Sequence, residues 1–219
     1  MSIQQMFFTG TGGITIPDFI SVGNKLPIYG SYGGLYPPPG WTGLVNSSFD
    51  DSGTTINLPF TFYIGGSGYT TTYMISNTYI TFGGLYTNYS GLSAANPPVR
   101  KFMFGAADNS FQRVSTFASG TRYQRIRYEG TAATSGTVGS PNIVLEITLF
   151  NPANYNGYNV LELLTGAHSR TGGVSLVANT STAYATYSQS SLASYVFVGG
   201  SDGSAWNIFS NCYVNNTDY

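Results

Sequence analysis

Residues 57–83 read Asn-Leu-Pro-Phe-Thr-Phe-Tyr-Ile-Gly-Gly-Ser-Gly-Tyr-Thr-Thr-Thr-Tyr-Met-Ile-Ser-Asn-Thr-Tyr-Ile-Thr-Phe-Gly, and this stretch decides the fold. Leu58, Phe60, Phe62 and Ile64 alternate with Pro59, Thr61 and Tyr63. Successive side chains on a strand point to opposite faces, so the first set forms one apolar face. Gly65, Gly66 and Gly68 offer the positive-φ positions that a tight reversal needs. A second strand is expected over 69–75 and a turn at Asn77. A third strand follows over 79–82, with Ile80 and Phe82 on one side. Short strands joined by tight turns make a β-meander.

The same grammar extends in both directions. Downstream, strands are expected over 100–104, 111–117, 121–129, 143–150, 158–164, 174–178, 184–188, 195–198 and 206–214. In the third of these, alternation places Tyr123, Arg125, Arg127 and Glu129 on one face, with Ile126 and Tyr128 on the other. Residues 131–141 are rich in Gly, Ser, Thr and Ala and read as a loop. Upstream, residues 14–44 look irregular, because Pro37, Pro38 and Pro39 cannot sit in an interior strand. That Tyr- and Gly-rich segment, ending in Trp41, is expected as a lid or a contact surface. Residues 1–13 read as an extended arm with Ile3, Met6, Phe7 and Phe8 as apolar anchors. No helical period runs beyond about two turns. About twelve short strands with regular turns indicate an all-β fold: a single antiparallel β-sandwich of jelly-roll type over 14–219, preceded by the arm.

Composition narrows the function. Charged residues are 8% of the 219, against about 25% in an average protein. Yet 18 Tyr and 14 Phe supply ample material for a core, which separates this chain from disordered ones. Its surface is therefore expected to carry neutral hydroxyls and amides, as adaptable binding loops do. A net charge of −1 gives no counterion-release drive toward nucleic acid. The single cysteine, Cys212, cannot form an intramolecular disulfide. Residues 1–10 lack the basic and apolar regions of a secretory signal, and no run approaches 18 apolar residues, so no membrane insertion is expected.

No catalytic constellation stands out. A serine-hydrolase triad needs a histidine relay, and the one histidine, His168, falls in a polar stretch expected to turn. A zinc site from His168 and Cys212 alone lacks ligands. Asp50-Asp51 and Asp108-Asn109 lack the spacing of a calcium loop, so they are expected as turn formers, and no cofactor is expected. Glu129, Glu146 and Glu162 are the only glutamates, all in expected strands, each to pair with an arginine or face solvent. A glycosidase would need two of them flanking a bond at roughly 5–9.5 Å. The Tyr123, Arg125 and Arg127 face could stack on a sugar or clasp a carboxylate. Pairing with Glu146 inside a subunit contact is the preferred reading, and Trp41 is the further candidate for glycan contact.

Two segments carry a resemblance. The opening Met-Ser-Ile-Gln-Gln-Met-Phe-Phe-Thr-Gly (1–10) resembles the start of virion structural and tail-fibre proteins of marine tailed phages of the cyanophage type. Residues 58–66 and 75–83, followed by Ile-Arg-Tyr-Glu-Gly (126–130) and Glu-Ile-Thr-Leu-Phe (146–150), resemble a nidogen-like β-sandwich module of phage virion and bacterial surface proteins. Thr78 stands where such modules often have Gly. The resemblance implies a non-enzymatic virion component, assembled in the host cytoplasm, partnered with other virion proteins and supplying no catalytic residues. Such components usually work as homo-oligomers, commonly trimers, and a host-surface glycan is a further expected contact. A carbohydrate-binding module, and less favourably a glycan depolymerase, are the alternatives.

Overall fold

The computed structural model describes residues 17–27, 36–87, 99–104, 110–131, 143–168, 173–178, 185–188 and 192–215. Among them are fifteen strands, one 3₁₀ turn (Pro152–Asn154) and no α-helix. In chain order the strands are β1 (Ile20–Val22), β2 (Thr42–Phe49), β3 (Gly53–Ile64), β4 (Ser67–Ile75), β5 (Tyr79–Phe82), β6 (Arg100–Phe104), β7 (Ser110–Ser119) and β8 (Tyr123–Thr131). They continue as β9 (Ile143–Phe150), β10 (Asn159–His168), β11 (Gly173–Val177), β12 (Ala185–Ser188), β13 (Ser194–Gly199), β14 (Trp206–Ser210) and β15 (Cys212–Val214). Every pairing is antiparallel.

The expected meander is β3-β4-β5. Gly65 and Gly66, at φ 59° and 76°, make the two-residue turn between β3 and β4. A Cβ at Gly65 would collide with the Ala178 carbonyl, so the site requires glycine. The next turn places Thr78 itself at φ 58°, and Thr78 Oγ1 donates to the Asn77 carbonyl at 2.8 Å. A threonine thus occupies the left-handed position that glycine would fill without strain.

Two sheets result. One runs β12-β11-β6-β5-β4-β3 and the other β14-β13-β10-β9-β8-β7-β2. Their facing sides share one apolar core, to which β3 contributes Ile56, Leu58, Phe60, Phe62 and Ile64. Phe102 of one sheet meets Phe197 of the other edge-to-face at 4.8 Å. Tyr128 donates its hydroxyl proton across the core to the Ser76 carbonyl at 2.7 Å, so this buried ring leaves no orphan oxygen. The protein is therefore an antiparallel β-sandwich. Consecutive strands β3–β6 lie in one sheet and β7–β10 in the other. The chain passes between the two sandwich sheets four times, from β2 to β3, β6 to β7, β10 to β11 and β12 to β13.

A third, two-stranded sheet was not expected. β1, inside the segment read as irregular, pairs with β15 through Ile20–Val214, Ser21–Tyr213 and Val22–Cys212. Ile20, Cys212 and Val214 of this ribbon pack on Tyr123, Phe150, Val160, Val196 and Val198, which belong to the outer face of the seven-stranded sheet. β2 likewise falls where the prolines had argued against strand. It begins just beyond them and lies at a sheet edge, with register irregularities after Gly43 and Asn46. The segment expected as a lid therefore contributes an edge strand and half of a covering ribbon.

Candidate functional site: a charged face under the ribbon

The outer face of β8 carries the expected set, Tyr123, Arg125, Arg127 and Glu129. Register then sets their neighbours: Arg127 lies opposite Glu146 of β9, while Arg125 lies opposite Thr148, itself opposite Glu162 of β10. All three glutamates thus gather on one face with two arginines, and all five side chains are buried. Ions so placed need charged partners and well-formed hydrogen bonds. Arg127 supplies them, its Nε donating to Glu129 Oε1 at 2.7 Å and its Nη1 to Glu146 Oε1 at 3.0 Å. Arg113 of β7 extends the network, with Nη1 3.8 Å from Glu129 Oε2.

Aromatic rings close the face. The Arg125 guanidinium stands 6.0 Å from the Trp41 ring centroid and 5.7 Å from that of Tyr123, within range of cation–π attraction. Trp41 also packs on Phe117, with centroids 5.9 Å apart. The four residues expected to touch a glycan or a neighbouring subunit are thereby brought together but turned inward. Tyr123 is 1% exposed, Arg125 and Arg127 2% each, and Trp41 9%. The Arg127–Glu146 pair forms within one chain rather than across a subunit contact. The reason is coverage: the ribbon and Trp41 lie over a face that a bare sheet would present to solvent. Ile3, Met6, Phe7 and Phe8 lie outside the described residues.

Glu162 occupies a different position in the network. Its Oε1 accepts a 2.8 Å hydrogen bond from the Val214 amide of β15, which ties sheet to ribbon. Burial pushes its carboxyl up to about 7, opposed by the Val214 N–H and by the positive charges of Lys25 and Arg125, with Glu146 pushing further upward. Burial also lowers Lys25 to about 8, opposed by Glu162. The Arg125 guanidinium is lowered as well, by desolvation. A carboxyl that titrates near 7 beside a second one bound by arginine matches the raw chemistry of an acid–base pair. Both Glu146 and Glu162 are fully buried, however, so their hydrogen bonding is directed at this chain's own groups.

No known family model, curated protein or solved structure matches this chain. Its chemistry must be read from the geometry alone.

The remaining candidates separate from this face. His168 is the last residue of β10 rather than part of a turn. Asp51, at φ 41°, accepts from Asn77 Nδ2 at 2.8 Å and so braces the turn between β4 and β5. Asp108 and Asn109 lie outside the described residues. Among the described residues no three His, Cys, Asp or Glu side chains are grouped to hold a metal ion, and no helix is long and apolar enough to cross a membrane. Sequence reasoning missed Lys25 and the link from Glu162 to the ribbon. Alternation along 159–168 does place Glu162 opposite in sense to Leu161 and Leu163. Its contact with residue 214, 52 positions away, has no local signal.

Proposed function

We propose that this chain is a non-enzymatic structural protein of a tailed-phage particle, displayed on the surface as a tail-fibre-like appendage or capsid decoration. The observation that carries the reading is where the charge goes. Lys101, Arg125, Arg127, Glu129, Glu146 and Glu162 are all buried, six of only 17 charged residues (8 basic plus 9 acidic). Among the described residues the outward-facing side chains are correspondingly sparse in charge and include the aromatics Phe49, Tyr63, Tyr86 and Tyr158. A surface of this kind suits close packing against neighbours, including further copies of the chain, with a trimer favoured. Residues 1–13 serve in this reading as the extended arm that docks on other virion proteins, in line with the resemblance of residues 1–10.

Gold-labelled antibody against the chain should decorate purified, intact particles at discrete surface positions, and the protein should copurify with them through a density gradient. Finding it only in the soluble lysate would overturn the proposal. Removing residues 1–13 should abolish incorporation; full incorporation of the truncated protein would sink the docking arm alone.

A further inference from the structure

We propose that the β1–β15 ribbon is a releasable strap, pinned to the charged face of the sandwich by Glu162 and able to open while both sandwich sheets stay folded. Four observations carry this. The ribbon forms a sheet of its own, joined by a ladder to neither sandwich sheet. The hydrogen bonds that tie the ribbon and its flanking residues to the seven-stranded sheet include three through the side chains of Glu162 and Ser194. Val214 N donates to Glu162 Oε1 at 2.8 Å, Lys25 N to Ser194 Oγ at 3.3 Å, Ser194 Oγ to the Gly23 carbonyl at 3.2 Å, and Asn211 N to the Ser194 carbonyl at 2.9 Å.

The third observation is a pair of hinges at one level. Asn211, at φ 54°, separates β15 from β14, and Gly23, at φ 140°, ends β1 directly across from it, donating to the Asn211 carbonyl at 2.7 Å. The fourth is what lies beneath. Part of the covered face is apolar, but the part at Glu162 is ionic, and an ionic surface is less costly to rehydrate than an apolar one. The groups facing Glu162 are Arg125 of β8, Glu146 of β9, Lys25 beyond β1 and the Val214 amide of β15; its register neighbour on β13 is Val196.

Opening rehydrates Glu162, so the strap responds to pH. The buried carboxyl titrates near 7, and the open one in the ordinary range near 4.3. A raised value in the closed state means that closure is strongest below the ordinary range and weakens as pH rises toward 7. Lys25 acts in the opposite sense, its closure term growing only above about 8, so between pH 5 and 7 the carboxyl dominates.

Hydrogen exchange on the full-length protein, corrected for the intrinsic pH dependence of exchange, tests the idea. Amides of residues 17–27 and 211–215 should exchange through a local opening at least about tenfold more readily than β9 and β10. Their protection should fall by up to about tenfold per unit between pH 5 and 7. Glu162→Gln keeps an oxygen for Val214 N but cannot ionise, so it should remove the pH dependence and leave protection high throughout. A second variant guards the result. Phe19–Asn215 and Gly23–Asn211 are joined by hydrogen bonds, which makes Val22–Cys212 a closely spaced pair of the kind a disulfide bridges. Val22→Cys, oxidised onto the native Cys212, ties the two strands together beside the hinges, so the ribbon should still lift as one unit and the pH response should persist in the oxidised protein. Ribbon amides that exchange only with the whole sandwich, or a pH response unchanged in Glu162→Gln, would overturn the proposal. So would a pH response abolished by the disulfide.

Discussion

The seven-stranded sheet has two faces that hold the protein together by opposite means. Toward the core it presents Val114, Ile126, Leu145, Ile147, Leu161, Leu163 and Phe197, an apolar layer closed by the six-stranded sheet. On the other side the same strands present Arg125, Arg127, Glu129, Glu146 and Glu162, closed by a ribbon of three residue pairs. Burial of apolar area is non-directional and tolerates small rearrangement. A buried ion network is directional, and each member depends on its partners being in place. The inner face should therefore degrade gradually under substitution, while the outer face should fail when one partner is removed and recover when both are.

Arg127→Leu is expected to have the largest effect. It removes the Arg127 donors from fully buried Glu146 and from Glu129, which keeps the longer contact to Arg113. Removing one partner of a buried pair costs about 3–5 kcal/mol, read as a fall in the urea midpoint at unchanged slope. Adding Glu146→Leu to the same protein should recover at least half of that loss, because an apolar pair of similar volume replaces the ionic one. A double variant no more stable than the single one would mean that Glu146 is not the group Arg127 compensates.

On the inner face, Leu161→Ala should cost about 3 kcal/mol, and no second substitution of an opposite partner should rescue it by more than a few tenths. This side of the sheet was legible in the sequence. Period-two runs such as Leu58-Phe60-Phe62-Ile64 and Ile143-Leu145-Ile147-Leu149 name their own inward residues, and glycine pairs mark their turns. The charged residues of 123–129 were legible too as sharing a face. What covers that face was not, because the cover comes from residues 20–22 and 212–214, nearly two hundred positions apart and only three residues each. Strands this short have no measurable periodicity, and prolines 37–39 give the segment before Thr42 a strand-breaking signature that hides the strand beginning there. Exposure was thus inferred for four side chains that the tertiary structure buries.

The smallest effect concerns order of events, and the protein carries its own reporters. Its two tryptophans fall on opposite sides of the sheet: Trp206 packs in the core against Phe62, with centroids 6.2 Å apart, and Trp41 lies with Arg125 outside. The single cysteine, Cys212, is buried on the sheet-facing side of the ribbon, and burial pushes its thiol up. Both inaccessibility and a raised thiol slow alkylation, since the thiolate is the nucleophile. With Trp41 replaced by Phe, core integrity can be followed by Trp206 fluorescence while a maleimide reports on Cys212. In rising urea, labelling should accelerate by about tenfold before Trp206 emission shifts, because local opening precedes global unfolding wherever few backbone bonds hold a segment. Coincident transitions would mean that the two faces, however different in chemistry, form one cooperative unit.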